Sequence, residues 1–175
     1  MFFLDFIARI FRLLNSAASP AQLAGGFTLG FMLGLSPGWP LHTLVLLLII
    51  LLFNVNLSMS ILGAATAVGL AWLFDPWIEQ LGHYLLVDVP TLQVYWTAMY
   101  NDTVALLTRF NNTVVMGSLA LSLILALPLF LCTVWLIKRY RDTLLARIKT
   151  WPIAKYIRGT RVFQIYEKLR MTGAI

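Results

Sequence analysis

The sequence predicts an all-α, polytopic membrane protein. Hydrophobic residues make up 60% of the chain and charged residues only 11%, against about 25% charged in typical soluble domains. No Lys, Arg, Asp or Glu occurs between Arg12 and Asp75, and a soluble domain could not hide that much uncharged surface from water. The apolar runs are divided by polar or proline-bearing breaks. This pattern predicts a re-entrant helical hairpin, two full transmembrane helices and amphipathic interfacial helices.

The N-terminal residues 1–14 are predicted to form an amphipathic helix at the membrane interface. Apolar side chains recur there at helical spacing, and the charged side chains lie on the opposite face. The alternative is that residues 1–14 are the cytosolic end of a longer helix. The polar, small-residue stretch from Asn15 to Pro20 that follows favours a break instead. A cleaved signal peptide fits poorly, because charges interrupt the start of the chain.

Residues 21–53 are predicted to form a hairpin of two apolar arms. The arms, residues 21–35 and 41–53, are separated by Ser36-Pro37-Gly38-Trp39-Pro40, here called the break. They would reach only about 22 and 20 Å, less than the roughly 30 Å of a hydrocarbon core. A re-entrant hairpin is therefore favoured over two crossings. Its tip needs hydrogen-bond partners at membrane depth, for which Ser36, Trp39, His42 or another helix are candidates.

The remaining elements follow from apolar runs and charge. Residues 57–74 are just long enough to span, and Asp75-Pro76 is expected to end that helix because proline donates no hydrogen bond. Residues 75–110, here called the intervening segment, are acidic and aromatic and are predicted to be amphipathic and periplasmic. Residues 113–137 form the second predicted span. Residues 138–175 form a basic tail with ten Lys or Arg, and the positive-inside rule predicts cytoplasmic N- and C-termini.

Two stretches of small residues predict close helix packing. Gly26, Gly30 and Gly34, here called the glycine ladder, share one helical face. A second smooth face is offered by the segment Gly63, Ala65, Ala67 and Gly69. Such spacing usually lets helices approach closely in lipid, within one chain or between copies. The alternative is that the glycines leave room for an acyl chain or a solute.

Polar residues in the hairpin are candidates for function because they are costly in lipid. His42 could instead hold the hairpin tip by a hydrogen bond, and Asn56 could cap the next helix, with Asn54 beside it. The predicted lipid- or partner-binding residues are Gly26, Gly30, Gly34, Ser36, Pro37, Gly38, Trp39, Pro40 and His42. The predicted contacts to anionic lipid are Arg139, Arg141, Lys155, Arg158 and Arg161. Lipid headgroups are the nearer polyanion for this tail, so nucleic acid is not an expected partner.

The glycine ladder and the break also carry a resemblance. The stretch G-F-T-L-G-F-M-L-G-L-S-P-G-W-P-L-H-T, followed by an apolar run and N-V-N-L-S, resembles a family of small bacterial inner-membrane proteins catalogued as a domain of unknown function. The resemblance covers roughly residues 17–90, and Asp75-Pro76 stands where that family often has Asn-Pro. It implies an inner-membrane location and no established activity.

More loosely, the broken hairpin is similar in design to DedA-type membrane proteins, although residues 13–74 contain none of that group's acidic and arginine residues. This second similarity is one of architecture.

The sequence gives little reason to expect an enzyme or a cofactor. His42 and His83 are the only histidines, Cys132 is the only cysteine, and no nucleophile with a base and an orienting partner is recognisable. The leading hypothesis is a non-enzymatic part in moving or placing lipids, alone or as the membrane subunit of an envelope lipid-transport assembly. A small-solute or ion transporter and a structural scaffold are the alternatives. The glycine faces predict a homo-oligomer or a larger envelope partner.

Overall fold

The computed structural model describes residue 10, residues 13–14 and residues 16–144, and this part of the chain is helical with no strand. The all-α prediction is therefore confirmed for it. The helices are α1 (Pro20–Leu35), α2 (Leu41–Leu52), α3 (Leu57–His83), α4 (Pro90–Tyr100), α5 (Thr103–Leu106) and α6 (Thr113–Arg139). Two π-helical turns, Tyr84–Asp88 and Tyr140–Leu144, follow α3 and α6. The chain forms two compact units, Met1–Trp135 and Leu136–Ile175.

The first two helices begin and end where local chemistry requires. Ser19 caps α1 through a capping box, in which its side chain accepts from the Gln22 N–H and the Gln22 side chain accepts from the Ser19 N–H. Pro20 occupies the first turn, where its missing N–H costs nothing. Helix α1 ends before Pro37, and α2 starts after Pro40, since proline disfavours a helical residue before it.

Helix α3 starts as predicted and ends later than predicted. The Asn56 side chain accepts a hydrogen bond of 3.0 Å from the Met59 N–H, which confirms its role as a cap. The expected end at Asp75-Pro76 is wrong, because the helix continues through Pro76 to His83. A proline has a φ that suits a helix and removes only one hydrogen bond. The other backbone hydrogen bonds of a long helix are enough to keep it helical despite this loss.

The core of the first unit lies where α1 packs on α3. Gly26, Gly30 and Gly34 meet the backbone of Asn56, Ser60 and Ala64 in turn, so the two helices run in the same direction. Beyond the ladder, apolar side chains of both helices are buried together, and side chains of α6 pack against them. The buried cluster is Phe31, Leu35, Ala67 and Ile78, with Leu121, Leu125 and Leu129 from α6 around it.

A second close crossing joins α3 to α6. A side chain on Gly82 would meet the backbone of Thr113 and Gly117, and one on Gly117 would meet the backbone of Ile78. The paired positions run in opposite order along the two helices, so α3 and α6 are antiparallel here. Small residues allow this approach, as in other helix pairs whose backbones touch.

Two helical stretches are long and apolar enough to cross a membrane, Leu57–Asp88 and Thr113–Thr143. Only 22% and 17% of their most apolar windows are buried within the chain. A core helix of a soluble protein would be mostly buried, so these exposed apolar surfaces favour a lipid environment over water. Most of the predicted interfacial helix 1–14 and the tail from residue 145, with Lys155, Arg158 and Arg161, lie outside the described residues.

Candidate functional site: the proline-broken hairpin

The break is a tight turn that needs a glycine. Gly38 has a φ of 74°, a conformation that side-chain-bearing residues rarely adopt. Pro37, Gly38 and Trp39 are exposed, with Trp39 showing 69% of its surface, whereas Pro40 is buried. The turn thus anchors itself by one proline and presents the other three residues outward.

A side-chain hydrogen bond closes the turn. The Ser36 hydroxyl and His42 Nε2 lie 2.6 Å apart, and either atom donates according to the tautomer of the ring. This confirms that His42 ties down the hairpin tip. The other ring nitrogen, Nδ1, is buried and has no hydrogen-bond partner within the described part of the chain, and the same holds for the hydroxyl of Thr43.

The intervening segment folds back onto the break, and no local pattern in the sequence predicts this contact. The Leu41 N–H, at the start of α2, donates a hydrogen bond of 3.1 Å to the Leu107 carbonyl. This bond satisfies one of the N–H groups that the first turn of a helix leaves without a partner. The break therefore has the partner that its exposed backbone requires, and that partner is a distant part of the same chain.

Arg109 lies beside the break. One guanidinium nitrogen, Nη1, is 3.4 Å from the position that a Cβ atom on Gly38 would take. Arg109 has a φ of 54°, the only positive φ among described residues other than glycine. Sequence reasoning did not single out Arg109, because it lies far along the chain from the hairpin. The signal that could have found it is its isolation, since it is the only Lys or Arg between Arg12 and Lys138.

The glycine ladder is filled by the chain's own α3. A Cβ atom at Gly26, Gly30 or Gly34 would collide with backbone atoms of the facing helix, and Gly63 is equally tight against Phe27. Packing within one chain is thus what the small residues do. The alternative, that the ladder leaves room for an acyl chain or a solute, is wrong, because α3 fills that space. Gly69 differs, since nothing lies within 4 Å of its Cβ position.

Helix α2 carries an exposed apolar surface next to the break. Thr43, Leu46 and Ile50 are buried against the rest of the unit. The other side is exposed, and we call it the open face of α2; it consists of Leu44, Val45, Leu47, Leu48, Leu51 and Leu52. The open face starts one turn after the break, so polar groups and an uncovered apolar surface are neighbours.

A separate cleft of about 450 Å³ lies in the intervening segment. Its wall includes Trp96 and Phe110, whose rings stack with centroids 6.0 Å apart. The Trp96 indole donates a hydrogen bond of 2.9 Å to the Leu85 carbonyl, which fixes the ring. The cleft is open, and its aromatic floor packs α4 onto the turn before α6.

The other described polar groups belong to other elements. Arg139 ends α6 and Arg141 lies in the π-helical turn after it, both in the second unit. His83 faces Asp88 at 3.6 Å on the surface. Among the described residues, no group of three or more His, Cys, Asp or Glu could hold a metal ion.

Together the exposed apolar helices and the broken hairpin indicate a small helical membrane protein. The chain belongs to the family DUF2062, described as an uncharacterized protein conserved in bacteria, whose model matches residues 5–144. This confirms the resemblance to a bacterial family of unknown function, whereas the similarity to DedA-type proteins stays a prediction. The chain is also similar to an uncharacterized protein of Treponema pallidum (strain Nichols), 28% identical over 139 residues, which cover 79% of this chain and 85% of that protein. No solved structure matches the chain.

Proposed function

We propose that this protein is a multi-pass protein of the bacterial inner membrane with a non-enzymatic part in moving or placing lipids. The observation that carries the proposal is the open face of α2 beside the break. An apolar helix face that no part of the described chain covers meets acyl chains in a bilayer. The neighbouring break brings polar backbone and side chains to the same place, so both halves of a lipid find matching chemistry there.

In the proposed topology the hairpin enters from the cytoplasmic side, and the break is its tip, directed towards the periplasm. Helices α1 and α2, with 16 and 12 residues, reach about 24 and 18 Å, so the hairpin enters deeply without spanning the whole core. The hydrogen bond from Leu41 to Leu107 supports this side, because Leu107 belongs to the intervening segment between the two spanning stretches. Two complete crossings with a thinned bilayer are the alternative.

Cysteine labelling tests this topology. In a Cys132→Ser background, a cysteine at Trp39 is expected to react with a membrane-impermeant maleimide added to the periplasmic side, as is a cysteine at Asn101. A cysteine at Thr143 is expected to react only after the membrane is opened. Labelling of position 39 from the cytoplasmic side alone contradicts the proposed hairpin.

Lipid transfer tests the function directly. The full chain is reconstituted into vesicles, and transfer of fluorescent phospholipid between leaflets and between vesicles is measured. The variant Pro37→Ala, Gly38→Ala, Pro40→Ala is expected to slow both rates, because it removes the turn that disturbs one leaflet. Pro90→Ala, at the first turn of α4, is the matched control for loss of a proline. Equal rates for empty vesicles and for the wild-type chain contradict the proposal.

A structural scaffold is the second candidate, since the open face of α2 also suits a helix of another membrane protein. A photo-reactive amino acid at Leu48 separates the two. Cross-linking to lipid favours lipid handling, and cross-linking to one partner in stoichiometric yield favours the scaffold.

A further inference from the structure

The Arg109 side chain has no ion-pair partner among the described residues. That side chain is exposed. Three of the four acidic residues of the intervening segment lie in or next to α3, and the fourth, Asp102, accepts a hydrogen bond from the Val104 N–H to cap α5. A lone arginine at the edge of an apolar protein is most stable when an anion from outside meets it.

The backbone of Arg109 has an unfavourable conformation. A non-glycine residue at φ 54° is uncommon, because the left-handed conformation brings Cβ too close to the following carbonyl oxygen. The Arg109 N–H donates to the Leu106 carbonyl and its carbonyl accepts from the Asn112 N–H, so the turn is fixed on both sides. Strain that is held in place by its surroundings occurs often at ligand sites.

The break supplies further groups for an anion. Gly38 lies against the guanidinium and has no side chain to cover it. Ser36 and His42 are hydrogen-bonded to each other and the Leu41 N–H is bonded to the Leu107 carbonyl, so what the break adds for an anion is the positive dipole end of α2. A phosphate bound between Arg109 and the start of α2 would be adjacent to the open face of α2, along which acyl chains can lie.

From this arrangement we propose that Arg109 and the break bind the phosphate of an anionic phospholipid headgroup, with the acyl chains on the open face of α2. The inference rests on the proposed function and names its substrate class. An arginine fork matches the geometry of a phosphodiester, whereas a zwitterionic headgroup brings its own cation and gains less. The site should therefore prefer phosphatidylglycerol to phosphatidylcholine.

Headgroup photolabelling measures this preference at the site. The full chain is placed in vesicles of equal parts phosphatidylglycerol and phosphatidylcholine, with either lipid carrying a diazirine in its headgroup, and labelled peptides are mapped. Phosphatidylglycerol is expected to label the break and residues 105–109 about five-fold more than phosphatidylcholine, the factor for about 1 kcal/mol per basic side chain near a membrane. Arg109→Gln is expected to abolish this excess, and Arg109→Lys to retain most of it.

The controls keep the site apart from general charge effects. Lys138→Gln removes the same charge at the end of α6 and should leave labelling of the break unchanged. Helix content and melting temperature are compared for Arg109→Gln and Arg109→Lys, so a folding defect is recognised by its effect on both. Inorganic phosphate in the buffer should not compete, and full competition at millimolar phosphate would show a soluble-anion site and overturn the lipid assignment.

Site and function can fail separately. If labelling depends on Arg109 but the protein transfers no lipid, the result supports the binding site and contradicts the proposed function. Transfer that is intact while labelling of the break is equal for both lipids, or unchanged in Arg109→Gln, overturns the inference and leaves the proposed function in place.

Discussion

The two arms of the hairpin are both apolar helices, yet they relate to the rest of the unit in opposite ways. Helix α1 contains the glycine ladder and lies against α3 with backbone touching backbone. Helix α2 is richer in leucine and isoleucine, but half of its residues form the open face. Hydrophobicity alone therefore does not decide which helix is buried.

The difference follows from the solvent. In lipid, a leucine side chain gains little by leaving acyl chains for protein, so helices associate where small residues permit close packing and hydrogen bonding. The glycines of α1 permit it, and the leucines of α2 hold neighbouring backbones apart. On this view α1 is the structural arm and α2 the arm that meets lipid. Four substitutions test this division.

The largest effect is expected for Gly30→Ala. The new methyl would overlap the Ser60 carbonyl, so α1 and α3 must separate along their length. We expect a loss of about 3 kcal/mol in the free energy of unfolding, the upper end for overpacking. Unfolding in mixed micelles by dodecyl sulfate measures it. Gly69→Ala is the matched control, since its Cβ position is open and alanine raises helix propensity by about 1 kcal/mol. Equal destabilisation by the two substitutions would contradict the tight contact between α1 and α3 at Gly30.

A smaller loss is expected for Leu35→Ala. Leu35 is 5% exposed in the cluster between α1, α3 and α6. Removing its side chain leaves a cavity, at a cost of about 2 kcal/mol, the low end for a buried leucine. The same unfolding assay applies. A cost near zero would mean that lipid reaches this cluster and that α1 is no more enclosed than α2.

Next is Ser36→Ala, which tests the tie between the two arms. The substitution removes the hydrogen bond to His42 and leaves Nε2 without this partner. The expected loss is about 1 kcal/mol. Thr66→Ala is a suitable comparison, because its hydroxyl only donates to the carbonyl of Leu62 on the exposed side of α3. If Thr66→Ala costs as much, the hydrogen bond at the break has no special role.

The smallest effect is expected for Leu48→Ala. Leu48 is 55% exposed on the open face of α2, so its side chain has a lipid-like environment in the folded and the unfolded state alike. We expect a change below about 0.5 kcal/mol in unfolding free energy. Lipid photolabelling of α2 should nonetheless fall. A large loss of stability would reveal a protein contact on the face that we assign to lipid.

Local patterns in the sequence were sufficient for the helices and for the ladder. The proline-bearing break and the Asn56 cap act over a few residues, and the structure has a turn and a helix start at those places. Small-residue spacing also predicted that the ladder and the smooth face of Gly63 and Ala67 would pack on each other. The helix pairing is confirmed, although the ladder itself meets Asn56, Ser60 and Ala64, while Gly63 meets Phe27 and Ala67 is buried. The other half of that smooth stretch, Ala65 and Gly69, is exposed.

The long-range contacts were not predictable in the same way. Arg109 and Leu107 reach the break from a segment that has no periodic signal pointing there. The crossing of Gly82 and Gly117 pairs two single glycines, and a single small residue is too common to indicate an interface. Pro76 misled for another reason, since one lost hydrogen bond is a local cost that a long helix can bear.

Pro76 also determines what must surround one turn of α3. Because proline has no N–H, the carbonyl of Trp72, one turn earlier, lacks its helical partner. A carbonyl in that state is tolerated where water can reach it and is costly among acyl chains. Trp72 is 84% exposed and Trp77 is 60% exposed, and tryptophans favour the boundary between headgroups and hydrocarbon. Water or a polar group should therefore reach this turn of α3.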